Sequence, residues 1–489
     1  MAFNVTITIT DTGIVTVERQ TDFIIWPSYT MPYLEINKET ILKYDTPGPR
    51  YTSYPTAPEW SSDVNARTYQ EKLAAFGQSS KTLSLYIHIP FCQSMCYYCA
   101  CNVVIRKQED KYGDEYLAYL FKEIDLVRRF IGKKADVKQF HWGGGTPTYL
   151  NEDQIKRLFN KVIENFEIDF DGEIAIEIDP RTIDKAKVKK LRQIGFNRVS
   201  MGIQDFSPEV QQKVNRVQPF TDVKKFYDWC REMKFLSVNF DLIYGLPDQH
   251  VENFSETLDK VITLKPDRIA LYSFAYVPWL KKHQQKLEVE ELPSNDEKMD
   301  IFLESREQLL ESGYQAIAMD HFALKTDEMA KAFNTGTLYR NFMGYTVKPA
   351  DEYVGLGLTS IGFLENTFVQ NYKTISDYYR LLKEVTLPIE RGKVLTRDDQ
   401  IRQWVINSFM CRFKVDTTEF KKRFGVDFDN YFGVEQSHIK KCIEDGLLVV
   451  KGSTLTVTDL GKIFIRNVCM GFDWYLRQAK AHKKFSRTV

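Results

Sequence analysis

The residues best equipped for chemistry stand together near position 92. Four of the eight cysteines fall within ten residues, as Cys92-x3-Cys96-x2-Cys99-x-Cys101, directly after the apolar run of "YIHIPF". Structural zinc takes four tetrahedral ligands, commonly from two separated pairs, and the sequence holds no second pair. Cys99 and Cys101 are one residue apart, which makes it awkward for both to chelate one ion in a short loop. Three thiolates on a tight loop suit one face of a [4Fe-4S] cubane and leave its fourth iron open to a ligand from outside the protein. An open iron points to catalysis rather than scaffolding. Cys230, Cys411, Cys442 and Cys469 stand alone among apolar or helical residues and read as ordinary buried or half-buried thiols.

The elements that must position this loop are legible from Thr82 onward, where strand-like and helix-like segments alternate. "LSLYIHI" precedes a helix near 109–131, "VKQFHWGG" one near 151–167, and "EIAIEID" the segment "TIDKAKVKKLRQIG". "NRVSMGIQ" precedes a helix near 220–235, "LSVNFDLIYGLP" one near 251–265, and "RIALYSF" one near 295–312. Six strand-then-helix units in series predict a parallel α/β sheet, either doubly wound or curved into a full or partial barrel. Cys92, the glycines of "GGGTPT", Glu177, Gln204 and Asp241 are expected at or just past the C-terminal ends of successive strands, the active edge of such folds.

Around that core the chain changes character. Residues 1–42 read as an N-terminal extension with a β-hairpin turning at "DTG". Residues 43–80 carry the Tyr- and Pro-rich "YDTPGPRYTSYPTAPEW", expected as an irregular lid segment followed by a helix. The catalytic barrel is expected over 81–325, a barrel-flanking linker region over 326–384, and a mainly helical domain with a small wing, "GLLVVKGSTLTVTDLGK", over 385–489. A wing raises DNA binding, but the flanking helices are mixed in charge.

Length and composition set outer bounds. A chain of 489 residues exceeds what one core usually supports, so two or three domains are expected. With 66 basic and 66 acidic residues the formal net charge is zero, which argues against nucleic acid or a membrane surface as partner. No apolar run approaches a membrane span and no leader-like segment opens the chain, so a cytoplasmic location is the expectation.

The CxxxCxxC loop after a first strand resembles the radical S-adenosylmethionine enzymes. Within that superfamily "YIHIPFC", "CYYCACN", "HWGGGTPTYL", "NRVSMGIQDF", "VNR", "NFDLIYGLP", "AMDHFA" and the closing "IRNVCMGFDWYLRQ…FSR" resemble the oxygen-independent coproporphyrinogen III oxidase family, from about Lys43 to the last residue. The resemblance implies a partial (β/α)6 barrel with a mainly helical C-terminal domain. It implies Cys92, Cys96 and Cys99 as cluster ligands, with Cys101 an extra family cysteine that does not bind iron. Tyr86 would lie near the cofactor, and Gly144, Gly145 and Thr146 would receive the methionine moiety. Glu177 and Arg216 would make charged contacts to S-adenosylmethionine, Gln204 and Asp241 polar ones, and Ala275 and Ile361 further ones, the backbone near Ala275 facing adenine. The implied reaction converts two propionates of coproporphyrinogen III to vinyl groups in haem biosynthesis, with a flavodoxin- or ferredoxin-type electron donor and a monomeric enzyme. Arg50, Arg216, His321, Arg340, Arg477 and Arg487 are candidates by chemistry for the four substrate carboxylates.

Three positions depart from the family pattern. Ala100 stands where the family has glycine, Ser273 where asparagine is common, and Met343 where a glutamine contacts a second S-adenosylmethionine. A thioether cannot donate that hydrogen bond, which puts the second cofactor in question. The rival readings are a related radical methyltransferase or haem-degrading enzyme, and a non-enzymatic haem chaperone. Cys101, "SMGIQDF" and the full tail favour the oxidase.

Overall fold

The computed structural model describes residues 6–9, 15–18, 38–478, 485 and 487. The chain divides into two units, residues 1–37 and 38–489. In the first, strands Thr6–Ile9 and Val15–Glu18 pair antiparallel, with Thr6 opposite Glu18 and Ile9 opposite Val15. These are the two runs expected to form a hairpin; its "DTG" turn lies outside the described residues.

The second unit is built on one sheet of twelve strands. Its first half repeats strand and helix: β1 (Leu83–Ile89), α1 (Asp110–Ile131), β2 (Asp136–Gly144), α2 (Glu152–Asn165), β3 (Glu167–Ile178), α3 (Lys185–Ile194), β4 (Arg198–Gln204), α4 (Phe220–Glu232), β5 (Ser237–Tyr244), α5 (Val251–Leu264), β6 (Arg268–Ser273) and α6 (Asn295–Glu311). The helices begin where side chains can satisfy their free N–H groups. Asn151 and Gln154 form a reciprocal cap on α2, Asp184 caps α3 and Ser294 caps α6. At the other end of α1, Gly132 takes φ +81°, the left-handed conformation that stops a helix cheaply. β1 to β6 pair parallel in sequence order, the partial (β/α)6 arrangement, so their C-terminal ends share one edge.

The sheet then continues on both sides. Past β6 it adds β7 (Tyr314–Ala318) and β8 (His321–Leu324); beside β1 it adds β9 (Glu352–Leu356), β10 (Ile361–Leu364), β11 (Thr367–Asn371) and β12 (Ile389–Val394). The spatial order is β7-β8-β6-β5-β4-β3-β2-β1-β9-β10-β11-β12. β9 is parallel to β1, and β10 to β12 follow antiparallel. Residues 326–384, expected as a flanking linker, therefore supply three strands of the main sheet. β12 belongs to that sheet too, so the helical region starts at the helix Arg397–Arg412 rather than at 385.

The wing strands Leu448–Lys451 and Thr454–Val457 form a three-stranded sheet with Lys414–Asp416. Among the helices Phe420, Phe428, Phe432 and Phe472 pack at ring separations of 4.9–5.7 Å and are all buried. Each such ring contributes roughly 1.5–3 kcal/mol by leaving water. The Tyr- and Pro-rich segment is a strap between this region and the barrel. Tyr51 donates to Asp473 at 3.1 Å, the Trp474 N–H donates to the Tyr54 hydroxyl at 3.1 Å, and Asn467 donates to the Tyr44 carbonyl at 2.7 Å. From the barrel side Arg340 donates to the carbonyls of Arg50 and Tyr51 at 2.8 and 3.1 Å.

Candidate active site

Three residues past β1 the chain enters the cysteine loop. Phe91–Cys92 and Val104–Ile105 pair as two short parallel strands that pinch its base. Segments following β4 and β6 then grip its backbone. The Tyr97 N–H donates to the Val214 carbonyl at 3.0 Å, and Asn215 donates to the Met95 carbonyl at 2.8 Å. His283 donates to the Cys99 carbonyl at 2.7 Å and Lys281 to that of Cys101 at 3.0 Å. The loop is thus set by the fold before any ligand arrives. Ala100 is not among the residues with positive φ, so alanine stands there without the strain that a left-handed position would impose.

Cys92, Cys96 and Cys99 share the wall of one cavity of about 350 Å³ with Gly144, Gly145, Thr146, Glu177, Gln204, Arg216 and Asp241. Cys101 lies on the same wall. Cys92 Sγ and Thr146 Oγ1 are 3.4 Å apart. Cys96 has a guanidinium nitrogen of Arg181 and one of Arg216 at 3.7 Å each. Asp179, directly after β3, pairs with both arginines at 2.7 and 3.0 Å, and they hold its carboxyl far below the usual range against the effect of burial. This carboxylate fixes two guanidinium groups beside the Cys96 sulfur.

The glycines make room for protein groups as well. A Cβ on Gly143 would stand 2.7 Å from Glu177 Oε1, one on Gly144 2.7 Å from the His88 ring, and one on Gly145 2.7 Å from the Pro90 carbonyl oxygen. Gly144 also takes φ +115°. Its N–H donates to Glu177 Oε2 at 3.1 Å while His141 Nε2 contacts Oε1 at 3.1 Å. Burial raises the Glu177 carboxyl, but the His141 contact and the Gly144 N–H outweigh it and keep it ionised. Gln204 ends β4 at φ +69°, beside a bulge in the pairing with β5 that re-aims it at the cavity. Asp241, expected at a strand end, sits in the middle of β5. Burial pushes its carboxyl up to about 6, although Ser200 and Asn239 donate to it at 2.8 and 2.9 Å.

A second cavity of about 350 Å³ occupies the barrel interior and shares Glu177, Ser200 and Asp241 with the first. Arg50, Arg340, His321 and Met343 stand on its wall. Of the carboxylate-pairing candidates, Arg50 pairs with Asp320, Arg216 with Asp179, Arg477 with Glu435 and Arg487 with Asp45. Tyr86 lines neither cavity. It stacks on His141 at 5.9 Å and meets His88 Nδ1 at 3.1 Å. His88 Nε2 reaches the Asn102 carbonyl at 3.2 Å, and burial lowers its pKa to about 4, so the ring is neutral with its proton on Nε2 and Tyr86 donates to Nδ1. Ala275 also lies off both walls, its carbonyl taken by Gln284 at 3.1 Å. Ile361 is buried in the apolar cluster against which Phe342 and Met343 pack.

Comparison with known proteins locates this geometry. Residues 86–261 match the radical SAM superfamily and 395–464 the HemN C-terminal domain. An oxygen-independent coproporphyrinogen III oxidase from Synechocystis is 43% identical over 94% of this chain and 99% of its own length; one from Escherichia coli is 43% identical over 92% and 97%. The chain belongs to the oxygen-independent coproporphyrinogen III oxidase family. A solved structure of the Escherichia coli oxidase aligns with a TM-score of 0.85 at 41% identity, covering 90% of this chain and 99% of that one. Iron–sulfur and S-adenosylmethionine use goes with membership of that superfamily. The donor set of this oxidase fits such a cluster. Among the described residues no three His, Cys, Asp or Glu side chains close on a single ion, whereas thiolates spread over one cavity wall suit a cluster in which each iron takes one thiolate. Sequence reasoning missed Asp179, Arg181, His88 and His141 in this site of the oxidase. Asp179 and Arg181, in "EIDPRT" right behind Glu177, sit at a strand end where polar groups belong to the active edge, and that signal was available. Among the described residues no helix is long and apolar enough to cross a membrane.

Proposed function

We propose that in this oxidase Cys92, Cys96 and Cys99 hold a [4Fe-4S] cluster and that the cavity they share with Gly144, Gly145, Thr146, Glu177, Gln204, Arg216 and Asp241 receives one S-adenosylmethionine. When bound, the cluster and S-adenosylmethionine would supply radical chemistry able to remove a hydrogen atom from a propionate of coproporphyrinogen III, which then loses CO2 and passes one electron to an external acceptor to become a vinyl group. The chain's own residues place and exclude. Glu177, ionised and oriented by His141 and Gly144, offers an acceptor to the cationic end of an amino acid. Arg216, charged and clamped by Asp179, offers the complement for its carboxylate. Tyr86 and His88 keep the first strand's end rigid behind Gly144. Ile361 acts through Met343 and Phe342, and Ala275 through the backbone that Gln284 anchors to the cysteine loop at Tyr98.

The tetrapyrrole takes the barrel cavity, where Arg50, His321 and Arg340 face it. There Met343 presents a thioether without a donor, and its backbone N–H is spent on Asn341 at 2.9 Å. We expect one equivalent of S-adenosylmethionine per chain and a second in Met343→Gln, counted by equilibrium dialysis. The reductant is a flavodoxin- or ferredoxin-type protein and the working unit a monomer.

The observation that carries this reading is the meeting of three cysteines and seven cofactor-type residues from successive strands and loops on one cavity wall. The test is an anaerobic incubation of reconstituted protein with S-adenosylmethionine, dithionite and coproporphyrinogen III, followed by chromatography and mass spectrometry. Protoporphyrinogen IX with two CO2 lost per molecule is expected. Deoxyadenosine without a vinyl product would sink the substrate assignment.

A further inference from the structure

Beyond the C-terminal ends of β5 and β6 lies a third, small cavity of about 40 Å³, with Tyr244, Ser273, Asp320, Arg50 and Arg466 on its walls. One water needs about 10–15 Å³ of such space, so roughly three heavy atoms fit, the size of a carboxylate. Its surroundings carry more positive than negative charge. Arg466 is buried and spends its nitrogens on neutral acceptors: Nε donates to the Pro49 carbonyl at 3.0 Å, Nη1 to that of Arg487 at 3.0 Å, and Nη2 to that of Gly48. Lys298 Nζ donates to the Phe274 carbonyl at 3.0 Å and lies 5.8 Å from the Tyr244 ring. Among the described residues neither Arg466 nor Lys298 has a carboxylate in salt-bridge reach. Asp320 is already divided between Arg50 and His321, the latter at 2.7 Å.

The cations are held against their preference. Burial, with Arg50 adding repulsion, lowers the Arg466 pKa to about 10 against the pull of Asp320; burial, with the nearby arginines, lowers that of Lys298 to about 8 against the pull of Asp45. Arg50, Arg466 and Lys298 outnumber the carboxylates that act on them, Asp320 and Asp45, and buried cations in excess favour taking up a further anion. Arg50 stands on the wall of both this cavity and the barrel cavity, which in turn adjoins the cysteine cavity. Arg50 is thus the side chain at which the small pocket and the barrel cavity adjoin.

We propose that the pocket between Arg50 and Arg466 receives one non-reacting carboxylate of the tetrapyrrole. This rests on the substrate reading above and adds a subsite to it. Ser273, on the wall, is a neutral position from which an introduced charge would face that carboxylate.

Ser273→Asp supplies the missing anion from within the protein. In the cluster-loaded protein it should raise Tm and weaken binding of coproporphyrin III, an unreactive tetracarboxylate followed by fluorescence quenching, by on the order of 30-fold or more. Ser273→Asn, similar in size and neutral, should bind it nearly as the parent does. The tetramethyl ester should bind weakly to all three proteins. Equal weakening by Asn and Asp would mean steric blockage and overturn the proposal, as would an unchanged affinity in Ser273→Asp. Loss of S-adenosylmethionine in Ser273→Asp with coproporphyrin III binding intact would assign the pocket to a cofactor carboxylate instead and likewise overturn it. A parent protein that neither binds coproporphyrin III nor forms a vinyl product would remove the substrate reading itself, and this subsite with it.

Discussion

At the scale of single residues the fate of each thiol separates ligand from neighbour. Cys92→Ser, Cys96→Ser or Cys99→Ser should lose the cluster's iron and its visible absorbance and abolish deoxyadenosine formation. Cys101→Ser should keep both, measured as iron per chain after anaerobic reconstitution. Arg181 stands 3.7 Å from Cys96 and shares Asp179 with Arg216. Removing its charge in Arg181→Met disfavours the added electron, so the cluster's reduction potential should fall, as read by spectroelectrochemistry. A potential equal to or above the parent's would deny Arg181 that part. Residue identity was legible here because thiolates at tight spacing have few other uses. Arg216 was legible as a charged contact, but its pairing with Asp179 was not, because the two stand 37 residues apart and meet only in the fold.

At the scale of elements, helix α1 is tied to the far side of the sheet by one carboxylate. Glu123 is buried, accepting from the Gly357 N–H at 2.8 Å, Asn371 at 2.6 Å and Tyr378 at 2.5 Å. Burial raises its pKa from the usual 4.5 to about 7 despite those donors. The folded protein therefore holds this proton over a range where the unfolded chain has released it. The associated stability is fully present below pH 4.5 and is lost as pH rises through 7, on the order of 3 kcal/mol. Glu123→Gln should be less stable at pH 5, having one acceptor fewer, and show a flatter urea midpoint between pH 5 and 8. A parallel pH slope in parent and variant would refute the assignment. The strands that Glu123 contacts were hidden in the sequence for a local reason. β10 and β11 are joined by Glu365–Asn366, both at positive φ, a two-residue turn of the kind that glycine usually announces. β9 and β11 are buried along their whole length and so lack alternation. The six βα units, by contrast, carried clear period changes and cap residues.

At the scale of the whole molecule, the unit 38–489 contains every residue assigned above to the cluster, the cofactor or the substrate. Deleting residues 1–37 should leave iron content and vinyl formation at parental levels in the anaerobic assay, and a loss of either would give that extension a catalytic part. Domain limits were the least legible layer, since the last sheet strand and the first C-terminal helix are separated by two residues, Leu395 and Thr396, with no linker composition to mark the change. The strap adds a constraint of timing. Tyr51, Tyr54, Gly48 and Pro49 are held by residues 466–474, more than 400 positions later. On the ribosome, the barrel can be synthesised and its cysteine loop exposed while the anchor for this strap is still untranslated. Until the final helices are made, the wall beside Arg50 lacks the contacts that hold it in place.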